Sequence, residues 1–323
     1  MRKFAGLFFA AAFVLGVLVC SASAQDETSN PIVIHRINKH GADRLVTPDG
    51  IEPQAIGKVL TQGSTSAATP NLTNHGGPLI ATPTVYLIWY GNWNQSNGSD
   101  TPAGQQIIRD FANTIGGSPY FQLNSSLSAG TTITGNVTFG GESTDTGSQG
   151  TTLSDAKVLS VVTHALSTGA LPYNANGVYF VLTSSNISES SGFCTQYCGW
   201  HTSGSSTSGK VRYAFVGNAN RCLSACAAQT TSPNGNAGVD GMVSVMAHEL
   251  SEATTDPDLN AWFDSRGQEN GDKCAWTFGH AQFTTSNGSF ANITLGSRNF
   301  LIQRMILRQS SGTDFCMMNS TQN

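Results

Sequence analysis

The apolar positions fall into short continuous runs and a few helical spacings. Val85-Tyr86-Leu87-Ile88-Trp89-Tyr90 is an unbroken apolar, β-branched and aromatic run of strand length, so it predicts a buried strand. Val178-Tyr179-Phe180-Val181-Leu182 and Val211 to Val216 predict two more. From Gly104 to Ile115 the spacing changes: Ile107, Ile108, Phe111 and Ile115 line one side of a helix that ends at Gly116-Gly117. A β-rich section follows from Thr131 to Gly140, and Ser154 caps a second helix running to about Ser167. Asp240 reads as the N-cap of a third helix, extending to about Ala253. Met242, Val243, Val245, Met246 and Leu250 make that helix apolar over most of its girth, which marks it as buried. Thr255-Asp256-Pro257 should stop it, because a residue before proline avoids the helical region. The last 60 or so residues read as strands and turns, with Phe300-Leu301-Ile302 the clearest. Strands and helices alternate early and strands dominate late. The expected fold is α+β: one compact domain with a mixed sheet, a buried helix and a strand-rich C-terminal part.

The N-terminal end has a different pattern. Arg2 and Lys3 precede the almost wholly apolar stretch Phe4 to Val19, and Ala22-Ser23-Ala24 forms a small-residue cleavage site. Residues 1–24 therefore read as a secretory signal peptide. Residues 25–74 contain Pro31, Pro48, Pro53 and Pro70 and the polar run Gln62 to Ala68. They read as a leader or pro-segment, with one short strand around Ile32 to Ile37. The compact domain spans 75–323. No later run is apolar enough to span a membrane.

Charge and cysteine content narrow the setting. Only 11% of residues are charged and the net charge is −4. There is no basic patch for nucleic acid or anionic lipid. Beyond the signal, the chain keeps Cys194, Cys198, Cys222, Cys226, Cys274 and Cys316. An even set in an exported chain predicts disulfides. The expected pairing closes each C-x3-C locally and joins Cys274 to Cys316.

The chemistry concentrates in His248-Glu249-Leu250-Ser251-Glu252. Positions i and i+4 share a helix face, so His248 and Glu252 could hold one metal ion, with Glu249 beside them. This is the H-E-x-x-H logic with glutamate as the second ligand. Between Arg221 and Arg266 there is no lysine or arginine, yet Asp240, Glu249, Glu252, Asp256, Asp258 and Asp264 lie there. Burying such acids requires a cation or protons. Asp240, Asp256, Asp258 and Asp264 could sit at helix ends and in loops; Glu249 and Glu252 are harder to place so simply. The third ligand is expected from the segment Gly267 to Cys274, with Glu269 first, Asp272 next, and Asp258 or Asp256 as remoter choices. Zn2+ is the expected ion. Ca2+ is the alternative, although it prefers six to eight oxygens and has no need of His248. Glu249 would act as general base on a metal-bound water. His201, His280 and Tyr213 are candidate oxyanion stabilisers. The competing reading is that His248 and the glutamates merely satisfy each other by hydrogen bonds.

Several further segments carry a resemblance. These are His75-Gly76-Gly77-Pro78, the strand with its following Gly91, Val181-Leu182-Thr183-Ser184-Ser185, Gly192-Phe193-Cys194 through Cys198-Gly199, Phe215-Val216-Gly217-Asn218, Cys222 through Cys226, and Gly238 to Met242. In this order they resemble the phosphate-induced protein 1 family, which includes the plant EXORDIUM proteins. The resemblance implies an extracellular or wall-associated location and brings no biochemical activity with it. The retained H-E-x-x-E helix points to a microbial member. The expected function is thus a secreted metal-dependent hydrolase, a zinc peptidase acting on a peptide or cell-wall-associated substrate. The alternative is a non-catalytic, EXORDIUM-like extracellular protein with a structural acidic cluster. A carbohydrate-active enzyme with two carboxylates explains His248 poorly.

Overall fold

A computed structural model describes residues 35–38 and 71–321; the signal segment and most of the leader lie outside the described residues. Its centre is a six-stranded mixed sheet. In spatial order the strands are His35–Asn38, Tyr197–Ser206, Gly209–Val216, Gly177–Thr183, Thr84–Tyr90 and Thr138–Asp145. Gly209–Val216, Gly177–Thr183, Thr84–Tyr90 and Thr138–Asp145 run parallel. Tyr197–Ser206 folds back antiparallel on Gly209–Val216, and His35–Asn38 lies antiparallel on its outer side. The unbroken apolar runs occupy the middle, as strands covered on both faces must. Thr138–Asp145, at the far edge, is only half covered.

Side-chain alternation shows which helix covers which face. On Tyr197–Ser206 a Cβ at Gly199 would meet Val245 and Glu249 of the long helix Ala237–Thr255, whereas one at Gly204 would meet Leu159 of the helix Asp155–Ser167. The two glycines are five positions apart, so they face opposite sides of the sheet. Trp89 lies in the register row of Gly199, by way of Leu182 and Val216. Arg109, on the helix Pro102–Thr114, lies 5.2 Å over the Trp89 ring. The first and third helices therefore share one face and the second covers the other. The mixed sheet, the buried helix and the single compact domain are as expected.

Local signals account for the ends of these elements. Thr101 and Ser154 accept from the Gly104 and Lys157 N–H groups at the starts of the first two helices. The third is capped by Asn236, which accepts from the Val239 N–H, and not by Asp240. Asp240 lies one turn in, where it accepts from the Asn234 N–H and side-chain amide. The helix ends at Thr255, ahead of Pro257. The C-terminal part is a series of two-stranded ribbons, Phe283–Thr284 with Phe290–Ala291, Ile293–Leu295 with Arg298–Phe300, and Met305–Arg308 with Asp314–Met317.

Three disulfides close the fold. Cys274–Cys316 is as expected, but the other two are Cys194–Cys222 and Cys198–Cys226. The local pairing fails because Cys222 and Cys226 bracket one short helical turn. At i and i+4 both project to the same side, against the segment carrying Cys194 and Cys198.

Candidate metal centre

The long helix is buried along nearly its whole length, so its polar side chains need partners from whatever packs on it. His248 and Glu252 stack one turn apart, with His248 Nε2 2.8 Å from Glu252 Oε1. Despite that short distance the two do not meet in hydrogen-bond geometry, and His248 Nε2 has no hydrogen-bond partner. The other ring nitrogen is engaged: Nδ1 lies 3.3 Å from Gln303 Oε1, which also accepts from the Trp276 N–H. Gln303 thus presents an acceptor, Nδ1 carries a proton, and Nε2 faces the carboxylates.

The loop after the helix supplies the remaining groups. Asp272 donates its main-chain N–H to Glu252 Oε1 at 2.9 Å, and its own Oδ1 is 3.7 Å from His248 Nε2. Gly271 makes this approach feasible, since a Cβ there would come within 2.7–2.8 Å of the His248 ring. Cys274 ties the loop to Cys316, as expected. One atom each from His248, Glu252 and Asp272 lies within 4.8 Å of the others. Glu269 does not join this set. It is buried nearby, with Oε1 3.7 Å from His201 Nε2. Of the two candidate third ligands in this loop, Asp272 lies with His248 and Glu252, and Glu269 lies beside His201.

His201 is the residue that linear spacing could not link to the motif. It comes from the strand Tyr197–Ser206, on the same face as Gly199, and its Nδ1 lies 3.3 Å from Glu249 Oε2 and 3.5 Å from Glu252 Oε2. His201, Glu249 and Glu252 form a second set within 4.8 Å. Glu249 Oε1 has no hydrogen-bond partner. Of the other candidates, Tyr213 pairs in register with Thr202, which places it on the opposite face of the sheet. No contact in the described residues joins His280 to the cluster.

The remaining acids of the base-free window have ordinary roles. Asp258 pairs with Arg212 and Lys210 at 3.0 Å. Asp256 accepts from the Asn260 and Ala261 N–H groups in the turn after the helix. Asp264 pairs with the buried Lys273 at 2.9 Å. That leaves His201, His248, Glu249, Glu252, Glu269 and Asp272 as one cluster.

The proton affinities reflect this crowding. Burial pulls both histidines down, but it is outweighed by Glu269, Glu249 and Glu252 around His201, and by Glu252 and Asp272 around His248. Both are held well above the usual imidazole range. Burial pushes Glu249 up to about 7 against the pull of His201 and His248. Glu252 is also raised by burial, but His248 and His201 bring it below the usual value. Two imidazoles share four carboxylates in a largely buried site, so protonated histidines can pair with only two of the four carboxylates.

Comparison with known proteins sets this geometry in a family. The conserved region of phosphate-induced protein 1 matches residues 72–306. The chain belongs to the phosphate-induced protein 1 family. Relatives from Arabidopsis thaliana include Protein EXORDIUM-like 3, 35% identical over 59% of this chain and 64% of that protein. Protein EXORDIUM-like 5 is 30% identical over 73% of this chain and 72% of its own length. These relatives are plant proteins, whereas the sequence reading expected this chain to be a microbial member of the family. No solved structure matches. Among the described residues no helix is long and apolar enough to cross a membrane.

Proposed function

We propose that this chain is a secreted, EXORDIUM-like extracellular protein built around a buried divalent-cation centre on His248, Glu252 and Asp272, with Zn2+ as the ion. The observation that carries the reading is the enclosed cluster of two imidazoles and four carboxylates, in which the buried His248 Nε2 has no hydrogen-bond partner. An imidazole with two carboxylates suits zinc, whereas calcium prefers an all-oxygen shell of six to eight ligands. Bound there, the ion would neutralise the cluster and fasten the Gly267–Cys274 loop to the long helix. The disulfides fit an oxidising extracellular compartment.

Metal analysis of the purified protein tests this. About one zinc per chain is expected, lost in Glu252→Gln and retained in Asp258→Asn, whose carboxylate serves Arg212 and Lys210. Wild-type protein that takes up no zinc from a zinc-buffered solution would overturn it.

A second reading, zinc-dependent peptide hydrolysis, is favoured by Glu249. Its Oε1 is unpartnered and its proton affinity lies near neutrality, as a general base requires. A bound zinc would supply an activated water, while His201 would orient Glu249 through Oε2. Glu249→Gln separates the readings. Peptidase activity abolished with zinc retained supports hydrolysis; wild-type protein with zinc but no turnover of a peptide library leaves the non-catalytic reading.

A further inference from the structure

His201 and His248 come from different elements, a strand and a helix, yet their rings are held alike. His248 Nδ1 meets Gln303 Oε1 at 3.3 Å, and His201 Nε2 meets the Asp256 carbonyl at 3.4 Å. Both acceptors are carbonyl oxygens, so each outer ring nitrogen donates. The inner nitrogens face carboxylates. His248 Nε2 lies 2.8 Å from Glu252 Oε1, and His201 Nδ1 lies 3.3 Å from Glu249 Oε2 and 3.5 Å from Glu252 Oε2. An outer N–H on a carbonyl, with the inner nitrogen toward anionic oxygens, is how proteins orient imidazoles that ligate metals. The helix explains why one carboxylate serves both rings. Glu252 follows His248 by four residues and Glu249 by three, so it lies one turn on from both. Its oxygens diverge, Oε1 toward His248 and Oε2 toward His201. The sets His248–Glu252–Asp272 and His201–Glu249–Glu252 therefore share Glu252 alone. All three side chains of the second set are buried, and Glu249 Oε1 has no hydrogen-bond partner.

We infer that the centre takes a second zinc ion, held by His201 Nδ1, Glu249 and Glu252 Oε2, with Glu252 bridging it to the ion on His248, Glu252 Oε1 and Asp272. The inference rests on the first ion proposed above. The second donor set repeats the first, one imidazole with two carboxylates, which suits the same metal. Ligation needs a neutral imidazole, so the ion takes the place of the proton between His201 and its carboxylates. Hold through both oxygens of Glu249 also satisfies the unpartnered Oε1. Charge agrees. With both imidazoles neutral, one divalent ion offsets two of the four carboxylate charges on Glu249, Glu252, Glu269 and Asp272, and a second offsets the rest. Ions in bridged two-metal sites lie about 3.5–4 Å apart. The second therefore enters against the repulsion of the first and binds more weakly. Protein purified without added zinc keeps the first ion alone, and the second fills on addition.

The test titrates zinc ions into the metal-free full chain in competition with a chromophoric chelator. Wild type should show a tight step and a weaker one. His201→Gln and Glu249→Gln should each keep the tight step, which also reports that the variant is folded. Each should weaken the second step by more than about 100-fold, since even outer-shell partners are worth about 10–100-fold. Glu252→Gln should weaken both steps. X-ray absorption at the zinc edge of the fully loaded wild type should show a zinc neighbour at about 3.5–4 Å. Wild type that saturates at the tight step in excess zinc would overturn the second ion and leave the first reading standing. A second step that survives in both His201→Gln and Glu249→Gln, or loaded protein without a zinc neighbour at that distance, would also overturn it. Wild type that binds no zinc sinks both readings together. If a variant does not fold, the absorption measurement on wild type decides.

Discussion

Gly271→Ala isolates one contact of the candidate metal centre. Gly271 has φ −74° and ψ −45°, a conformation any residue adopts. Removing a glycine there should by itself stabilise the chain by about 0.4–1 kcal/mol through the unfolded state. The new methyl, however, would lie 2.7–2.8 Å from Cδ2, Cγ and Nε2 of His248. To regain an ordinary contact near 3.5 Å the ring must retreat by about 0.7 Å, and Gln303 pins its far side at Nδ1. Overpacking of this kind costs about 1–3 kcal/mol, leaving a net loss of roughly 1–2 kcal/mol and a melting temperature lower by about 2–8 °C for a domain this size. Metal affinity should suffer more, because ligand positions tolerate only about 0.2 Å. A 10–100-fold loss of zinc affinity is expected, read by competition with a chromophoric chelator. Gly267→Ala is the control: its Cβ meets nothing, but φ of +80° strains any side chain, so stability falls while zinc affinity holds. If Gly271→Ala bound zinc within twofold of wild type, the placement of His248 Nε2 and Asp272 around a common ion would be wrong.

Two further outcomes follow from the same structure. Cys194–Cys222 and Cys198–Cys226 each span 28 residues and close nearly the same loop. With one bond intact the other still closes a loop of about eight residues, so replacing either pair with serine should cost about 2.5 kcal/mol and replacing both about 6 kcal/mol, measured by calorimetry; a double replacement that lost no more than a single one would contradict this. In metal-free protein, Glu249 is raised from 4.5 to about 7, so its contribution to stability is complete below pH 4.5 and disappears as pH rises through about 7. The raised histidines act in the same sense: their contribution is complete below 6.5 and is lost above it. Glu252, lowered, contributes above 4.5 and loses that contribution only in acid. The melting temperature of chelator-treated protein should therefore fall from pH 5 to pH 8, and a flat or rising profile would refute the assignment.

Much of this protein is written locally in its chain. The runs Val85 to Tyr90 and Val178 to Leu182, with Val211 to Val216 interrupted only by Arg212, read as buried strands, because a short apolar stretch needs cover on both faces. Ser154 and Pro257 mark helix boundaries through short-range sterics and hydrogen bonding. The pair His248 and Glu252 is legible because four residues make one helical turn. Other features depend on contacts distant in sequence. The strand Tyr197–Ser206 is poor in the alternation that announces strands, so His201 could not be tied to Glu249, 48 residues away. Asp272, not Glu269, lies beside His248 because the turn at Gly271 presses its own neighbour onto the ring, a matter of loop geometry rather than spacing. The crossed disulfides likewise follow from one helical turn docking against a distant segment. The periodicity of the chain fixed which side chains are buried; tertiary packing decided which of the buried charges meet.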